Sequence, residues 1–267
     1  MSWAALLGAL FGIGLVIGSI ILGTDHYGVF FNLHSIMMVL GGSIATAYMS
    51  YQHTYVNIAF KAIWWILKKP SSTREGLNVE ILRLIKWAYI VQQKGLPALE
   101  NEVKNTKMGD PLLEYCLLLV TTAHKPEELR FMMENAVESE FERRTTPVAV
   151  LKNMASSGPA FGMLGTLTGM VIMLQDFSGD MAVIGQGMSL ALTATLYGVI
   201  LARLIFLPAA LKLQHKEEIE RFRNYLIVEG LVMLAEKKGP HYMQDRLNSF
   251  LDPENHFNIS KQIKNVD

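Results

Sequence analysis

The sequence predicts an all-α, polytopic membrane protein with four transmembrane helices and a helical cytoplasmic domain, and three observations support this fold class. The chain is 51% hydrophobic and only 18% charged over its 267 residues. Four uncharged stretches, at residues 3–23, 29–51, 153–175 and 181–202, are each long enough to cross about 30 Å of hydrocarbon as a helix. The other residues carry helix-start and helix-stop signals and almost no strand signals.

The distribution of positive charge predicts how these four segments are oriented. The chain contains 24 Lys and Arg residues, and all of them lie within residues 61–152 or 203–264. The short connections at residues 24–28 and 176–180 contain none. Because cytoplasmic loops of membrane proteins are enriched in Lys and Arg, both termini and the long middle segment are expected in the cytoplasm.

The chain is therefore expected to divide into four regions. Residues 1–51 hold transmembrane helices 1 and 2, and residues 52–152 form a cytoplasmic helical domain. Residues 153–210 hold transmembrane helices 3 and 4, and residues 211–267 form cytoplasmic C-terminal helices and a tail. The last part of that tail, residues 252–267, is polar and is expected to be flexible.

Local signals predict where helices of the cytoplasmic domain begin and end. Ser72 and Glu75 match a capping box, in which each side chain satisfies a backbone N–H at a helix start. Proline is favourable in the first turn of a helix, so further helices are expected to begin at Pro111 and Pro126. Gly95 follows a basic residue and is expected to end the helix before it.

The segment between the capping box and Gly95 is predicted to be an amphipathic helix. Val79, Leu82, Ile85, Trp87 and Ala88 fall near helical spacing. We expect these residues to form its buried face.

The sequence contains none of the common motifs of enzymes, metal sites or phosphate-binding loops. Cys116 is the only cysteine, so an internal disulfide is excluded and a cysteine-based metal site is not expected. It lies in an apolar run and is predicted to be a core residue. We expect no enzymatic activity, no cofactor, no metal site and no nucleic-acid partner.

Small residues form one smooth stripe on each of the last two membrane segments. In segment three they are glycines at positions 158, 162, 165 and 169, and in segment four they are Gly187, Ala191, Ala194 and Gly198. Such stripes let membrane helices approach closely. Close packing is therefore one interpretation of both stripes.

Two threonines beside these stripes allow a second interpretation. Thr166 and Thr195 could bond back to carbonyls of their own helices, as is usual in membrane helices. Alternatively, hydroxyl and carbonyl oxygens along the stripes could replace part of the hydration shell of a small cation. Pro159 removes a backbone donor and frees one more carbonyl. Residue spacing alone does not separate packing from ion coordination.

The four apolar segments contain no Asp, Glu, Lys or Arg in their cores. Ionisable groups within the membrane usually carry the function of pumps and transporters. This chain therefore either transports nothing or receives the necessary acid from another polypeptide.

The motif "GPAFGMLGTLTGMVIML" in segment three and "GMSLALTATLYGVILARLIFLP" in segment four resemble the MotA/PomA family of flagellar stator subunits. The resemblance covers essentially the whole chain, including the phrase "KGLPALE" at residues 94–100. It implies a subunit of the bacterial inner membrane that forms a homo-oligomer, a pentamer, around a MotB/PomB-like partner. That single-span partner binds peptidoglycan and supplies an intramembrane aspartate.

The resemblance also assigns roles to individual residues. It implies that Thr166, Thr195, Gly162 and Ala194 line the ion path. The threonine at position 166 favours Na+ over H+, although the related sodium-type subunits have a threonine where this chain has Ala194. The coupling of ion flux to rotation is assigned to Pro159 and Pro208.

The resemblance further implies that charged residues at the cytoplasmic end contact the rotor protein FliG; these are Lys94, Glu100, Glu102 and Lys104. Two other functions remain as alternatives. One is an ExbB/TolQ-like proton-channel energiser of an outer-membrane system, and the other is a scaffold whose small-residue stripes only pack.

Overall fold

The computed structural model of the chain describes residues 3–25, 27–65, 76–99, 109–122, 124–175, 181–251 and 253–258. All regular structure among them is helical. Three stretches, Tyr27–Ser50, Pro126–Gln175 and Met181–Ala235, are long and apolar enough to cross a membrane by length and composition. The apolar stretch near the N-terminus, Leu10–Gly23, is shorter. The all-α fold class is confirmed, whereas the number of four spans stays a prediction.

Nine α-helices are described along the chain. Their bounds are α1 Trp3–Gly23, α2 Leu33–Ser50, α3 His53–Trp65, α4 Leu77–Lys94, α5 Pro111–Thr121, α6 Pro126–Gln175, α7 Met181–Ile200, α8 Leu207–Ala235 and α9 Pro240–Asn248. A 3₁₀ turn at Tyr27–Phe30 precedes α2, and a π-helix at Leu201–Phe206 joins α7 to α8.

The predicted helix ends agree with the structure wherever the residues are described. Helix α5 begins at Pro111, and the Asp110 side chain caps it by accepting a hydrogen bond from the Leu113 N–H at 3.3 Å. Helix α6 begins at Pro126. Gly95 ends α4 with a φ of 80°, a conformation that glycine adopts without strain. The predicted capping box at residues 72–75 lies outside the described residues.

The chain forms two compact units. Unit 1 comprises residues 1–70 and 145–215, and unit 2 comprises residues 71–144 and 216–267. Residues 53–65, which form α3, therefore pack with the apolar helices of unit 1. The predicted boundaries at 51, 152 and 210 separate membrane segments from the rest of the chain, whereas the two units are defined by contacts within the protein. Those boundaries therefore stay predictions.

In unit 1, the small-residue stripes of α6 and α7 pack directly on each other. A methyl group added at Gly158 would lie 3.0 Å from the Gly198 carbonyl oxygen, and one added at Gly162 would lie 3.1 Å from the Ala194 carbonyl oxygen. One added at Gly187 would lie 2.7 Å from the Gly169 carbonyl oxygen. The two backbones thus touch over the length of the antiparallel pair, as the packing interpretation predicts. We call this contact the glycine seam.

Unit 2 has a hydrophobic core built from α4, α5, α8, α9 and the first part of α6. Cys116 lies in this core, as predicted, and burial raises the pKa of its thiol to about 12, so the thiol stays protonated and unreactive.

The predicted buried face of α4 is wrong in part. Ile85, Trp87 and Ala88 are buried as expected, but Val79 is 60% exposed and Ile81 and Leu84 are buried instead. The misplaced residue lies near the start of the helix, where the apolar residues allow two choices of face.

Ion pairs connect the helices of unit 2. The Arg223 guanidinium lies 2.6 Å from a carboxylate oxygen of Asp110 and 3.3 Å from one of Glu80, so it joins α8 to α4 and to the cap of α5. Glu229, also in α8, accepts hydrogen bonds from Arg130 at 2.5 Å and Arg246 at 2.9 Å. Burial opposes ionisation of Glu229, but these two hydrogen bonds outweigh it and lower the pKa of its carboxyl.

The flexible tail predicted from residue 252 is wrong for its first part. Phe257 is buried, and its backbone N–H and carbonyl both pair with the Asn248 side-chain amide at 2.8 Å. One apolar ring, together with one two-way amide pair, is enough to hold residues 253–258 against the end of α9. Composition alone did not show this, because the surrounding residues are polar.

Helix α8 ends in a Schellman motif with an unusual residue at its left-handed position. The Lys238 N–H donates to the Met233 carbonyl and the Lys237 N–H donates to the Leu234 carbonyl, both at 3.0 Å. Lys237 therefore occupies the position that glycine usually takes, with a φ of 55°. A side chain in this conformation costs about 1–2 kcal/mol.

We predict that Gly198→Ala loosens the glycine seam. The added methyl group would lie 2.6 Å from the Gly158 carbonyl oxygen, so the backbones must separate. We expect a loss of about 1–3 kcal/mol in the free energy of unfolding, measured by thermal unfolding of the purified protein in detergent. The matched control is Gly185→Ala in the same helix, where nothing lies within 4 Å. Equal stability of the two variants would contradict the seam.

We predict that Lys237→Gly stabilises unit 2 by about 1 kcal/mol, because glycine adopts a positive φ without strain. The same thermal unfolding measurement tests it. In the control Lys238→Gly, glycine replaces a residue outside the left-handed region and only adds entropy to the unfolded chain. That control should be destabilised, and stabilisation by both changes would count against strain at Lys237.

Candidate ion path

Three of the four predicted path residues meet at one crossing of α6 and α7. Gly162 and Ala194 are buried in the glycine seam, and Thr195 is partly buried beside it. The Thr195 hydroxyl lies 3.5 Å from the Gly162 carbonyl oxygen, on the neighbouring helix. This distance is long for a hydrogen bond, so the contact is weak and the hydroxyl remains available to another partner.

Thr166 makes the local contact that is usual in membrane helices. Its hydroxyl donates to the Met163 carbonyl of its own helix at 2.7 Å. Thr166 stands one turn along α6 from Gly162, and its side chain is partly exposed. Its oxygen lone pairs still accept, because the back-bond uses only the hydrogen.

Helix α2 covers one side of the α6–α7 pair. The Phe161 ring of α6 fits against Gly42 of α2, where a side chain would collide with it. Further along, Thr46 of α2 donates to the Ser157 hydroxyl of α6 at 3.3 Å. These contacts fix which side of α6 faces α2.

Thr166 and Thr195 lie on the side of the pair that α2 leaves uncovered. Successive residues of a helix are rotated by about 100°, which places both threonines away from the residues that contact α2. We call this uncovered side the threonine flank. Its other large side chains are apolar and about half exposed: Met163 59%, Met170 45%, Met188 52%, Leu192 66% and Val199 48%.

The chemistry of the threonine flank is that of an uncharged, apolar surface with a few oxygens. Residues 153–175 and 181–202 contain no Asp, Glu, Lys or Arg. Such a surface suits another apolar helix, and its hydroxyls offer polar contacts to one buried polar group on that helix. It holds no titratable group with which to relay protons by itself.

The two predicted coupling prolines lie near the same end of the α6–α7 pair. Pro159 lies inside α6, which continues without interruption. Pro208 lies two residues after the π-helix, and the Leu207 N–H donates to the Ala202 carbonyl, five residues earlier. Because proline lacks an N–H and its ring collides with the carbonyl four residues back, the wider π turn relieves the conflict.

The predicted rotor-facing residues are only partly visible. Lys94 is exposed at the end of α4 in unit 2, where a positive charge is favourable at the helix C-terminus. Glu100, Glu102 and Lys104 lie outside the described residues. Within the described part of the chain, no group of three or more His, Cys, Asp or Glu side chains is placed to hold a metal ion.

Sequence reasoning missed a set of polar contacts between α7 and the segment that leads into α2. The Ser35 and Thr193 hydroxyls are buried and lie 2.7 Å apart. The Ser35 hydroxyl oxygen also lies 3.1 Å from the Leu190 carbonyl oxygen. Tyr197 donates to the Phe30 carbonyl. The available signal was the presence of Ser, Thr and Tyr within otherwise apolar segments.

The chain is similar in sequence to known proteins along most of its length. The model of the MotA/TolQ/ExbB proton channel family matches residues 100–224. The chain is 30% identical to the chemotaxis protein PomA of Vibrio alginolyticus, over 94% of this chain and 96% of the relative. It is 28% identical to motility protein A of Borreliella burgdorferi, over 98% and 99% of the two chains.

A solved structure shares the fold along almost the whole length. The C. jejuni MotAB structure contains a chain that matches this one with a TM-score of 0.82, at 23% identity, over 97% of this chain and all of that chain. The predicted resemblance is thus confirmed by both sequence and fold. The chain belongs to the MotA/TolQ/ExbB proton channel family, and within that family it groups with the MotA and PomA proteins.

Proposed function

We propose that this chain is a stator subunit of an ion-driven flagellar motor. Together with a single-span, peptidoglycan-binding partner of the MotB/PomB kind, it forms a channel whose ion flux generates torque on the rotor protein FliG. Membership of a channel family also confirms the prediction that the chain is not an enzyme. The motility proteins among its relatives favour this function over an energiser of the ExbB/TolQ kind.

The threonine flank is the observation that carries the proposal. It is apolar, uncovered by α2 and free of charge, yet it presents Thr166 and Thr195. A carboxylate buried against purely apolar helices would be strongly disfavoured. Hydroxyls at the flank lower that cost, so a partner helix that carries an aspartate fits there. The acid that this chain lacks is then supplied by the partner.

The membrane potential can supply the energy for such an ion-driven motor. One elementary charge that crosses a potential of 100 mV releases about 2.3 kcal/mol.

The partner's aspartate alternates between a charged and an ion-neutralised state as cations arrive and leave. We propose that neutralisation lets the partner helix move along the flank, and that copies of this chain, assembled as a ring of five in the inner membrane with cytoplasmic termini, turn around it.

We further propose that the transported ion is Na+, with H+ as the alternative. Thr195 has a free oxygen beside the Gly162 carbonyl, and Thr166 offers acceptor lone pairs. Hydroxyl and carbonyl oxygens are the ligands that a hard cation such as Na+ uses when it loses water.

Removal of either flank hydroxyl tests the ion path. We expect Thr166→Ala and Thr195→Ala each to reduce ion flux and swimming speed by about tenfold or more, because a lost charge-assisted contact is worth about 1.5–3 kcal/mol. Ion flux is measured in vesicles that contain the chain together with its partner, and swimming speed in cells.

The matched control for this test is Thr168→Ala. Thr168 belongs to the same helix and bonds back to the Leu164 carbonyl at 2.9 Å, but it lies on the side turned away from the threonine flank. Near-normal flux is expected for this variant. Unchanged flux in both flank variants would leave close packing as the whole role of these helices.

The identity of the ion is tested separately, by swimming speed as a function of sodium at a fixed membrane potential. We expect speed to fall towards zero in sodium-free medium, because the flank oxygens replace water around Na+. Full speed without sodium would overturn the proposal for Na+ and support H+, while leaving the role as a stator subunit intact.

A further inference from the structure

The side of α7 opposite Thr195 is held by directional hydrogen bonds. Thr193 and Tyr197 lie two residues before and two residues after Thr195, which places both of them on nearly the opposite side of the helix. They are four residues apart and therefore neighbours on one face. Their side-chain hydrogen bonds to Ser35, Asn32 and Phe30 reach the turn before α2 and the start of α2.

These hydrogen bonds connect one face of α7 to the turn before α2 and to the start of α2. The Ser35 hydroxyl donates to the Thr193 hydroxyl at 2.7 Å, because the single hydroxyl hydrogen of Thr193 goes to the Ser189 carbonyl of its own helix at 2.6 Å. The Tyr197 hydroxyl donates to the Phe30 carbonyl and lies 3.4 Å from the Asn32 N–H, which donates to it.

Further hydrogen bonds hold the residues that Thr193 and Tyr197 contact. The Asn32 side chain caps α2 by accepting from the His34 N–H at 3.1 Å and the Ser35 N–H at 3.3 Å. The Ser189 hydroxyl donates to the Val29 carbonyl at 3.2 Å, which adds a further bond to the same turn. Ser35 and Thr193 are buried, at 0% and 5% exposure, so their pairing is shielded from competing water.

The glycine seam does not supply the same restraint. Its contact surface on α7 consists of glycine and alanine, which have no side chain long enough to lock into a neighbouring groove. The seam opposes large rotations of α7, which would bring longer side chains against the backbone of α6, but it contains no directional side-chain contact that selects one angle. Directional hydrogen bonds on the face opposite Thr195 supply a specific rotational position.

We propose that Thr193 and Tyr197 are positioning residues that fix the rotation of α7 about its own axis and thereby present Thr195 at the threonine flank. Thr193 acts through Ser35, and Tyr197 acts through Phe30 and Asn32. The functional consequence rests on the proposed function: when α7 turns, the Thr195 oxygen leaves the ion path. Neither positioning residue touches the ion.

The rotation of α7 is measured directly by spin labels. Single cysteines at Met188, Leu192, Thr195 and Val199 are labelled in the full chain, assembled with its partner in vesicles. Native Cys116 is buried and its thiol stays protonated, so it does not compete for the label. The accessibility of each label to dissolved oxygen varies with the helical period, and the phase of that variation gives the rotation.

We expect the phase to shift by at least about 25°, a quarter of one residue step, in the double variant Thr193→Val with Tyr197→Phe. Both changes keep the shape of the side chain and remove only the hydroxyl. The matched control is Thr193→Ser, which keeps the hydroxyl and should keep the phase. An unshifted phase in the double variant overturns the positioning role, and so does an equal shift in the serine control.

Cation dependence is measured separately, on vesicles that contain the unlabelled chain with its native Thr195 and its partner. The double variant should raise the half-saturating cation concentration for flux about three- to tenfold, and Thr193→Ser should leave it unchanged. A shifted phase with unchanged cation dependence supports the positioning role but counts against Thr195 as part of the ion path. The two proposals therefore fail in distinguishable ways.

Discussion

Close contact between the backbones of α6 and α7 is the constraint on which unit 1 depends. Helices pack at this distance only where neither presents a side chain, so glycine and alanine must recur on both facing stripes. The contact leaves no open space between these two helices of one chain at the seam itself. The Thr166 and Thr195 hydroxyls lie beside the seam, which is why the proposed ion path follows the threonine flank.

The absence of charge in the membrane segments acquires a meaning from this geometry. One side of the α6–α7 pair is covered by α2, and the other presents an apolar surface with two hydroxyls. The membrane segments of this chain offer no carboxylate of their own to titrate. In the function proposed here, the acid comes from another helix and packs on this surface.

Unit 2 is stabilised by a different principle. Its helices bury a continuous apolar core, and the buried carboxylate of Glu229 is neutralised by Arg130 and Arg246. Arg223 pairs in turn with Glu80 and Asp110. These pairs are specific in direction, so they fix the relative positions of α4, α5, α8 and α9 within the unit.

The sequence by itself determined the helical class, the apolar segments and the small-residue stripes, because these follow from local composition and from the helical period. It also placed the starts of α5 and α6, where proline in the first turn, and for α5 the capping Asp110, act locally. Only the tertiary structure decided the neighbours of each helix face. Val79 became exposed, Phe257 became buried, and Thr193 found Ser35, since each outcome depends on contacts between residues that are distant in the chain.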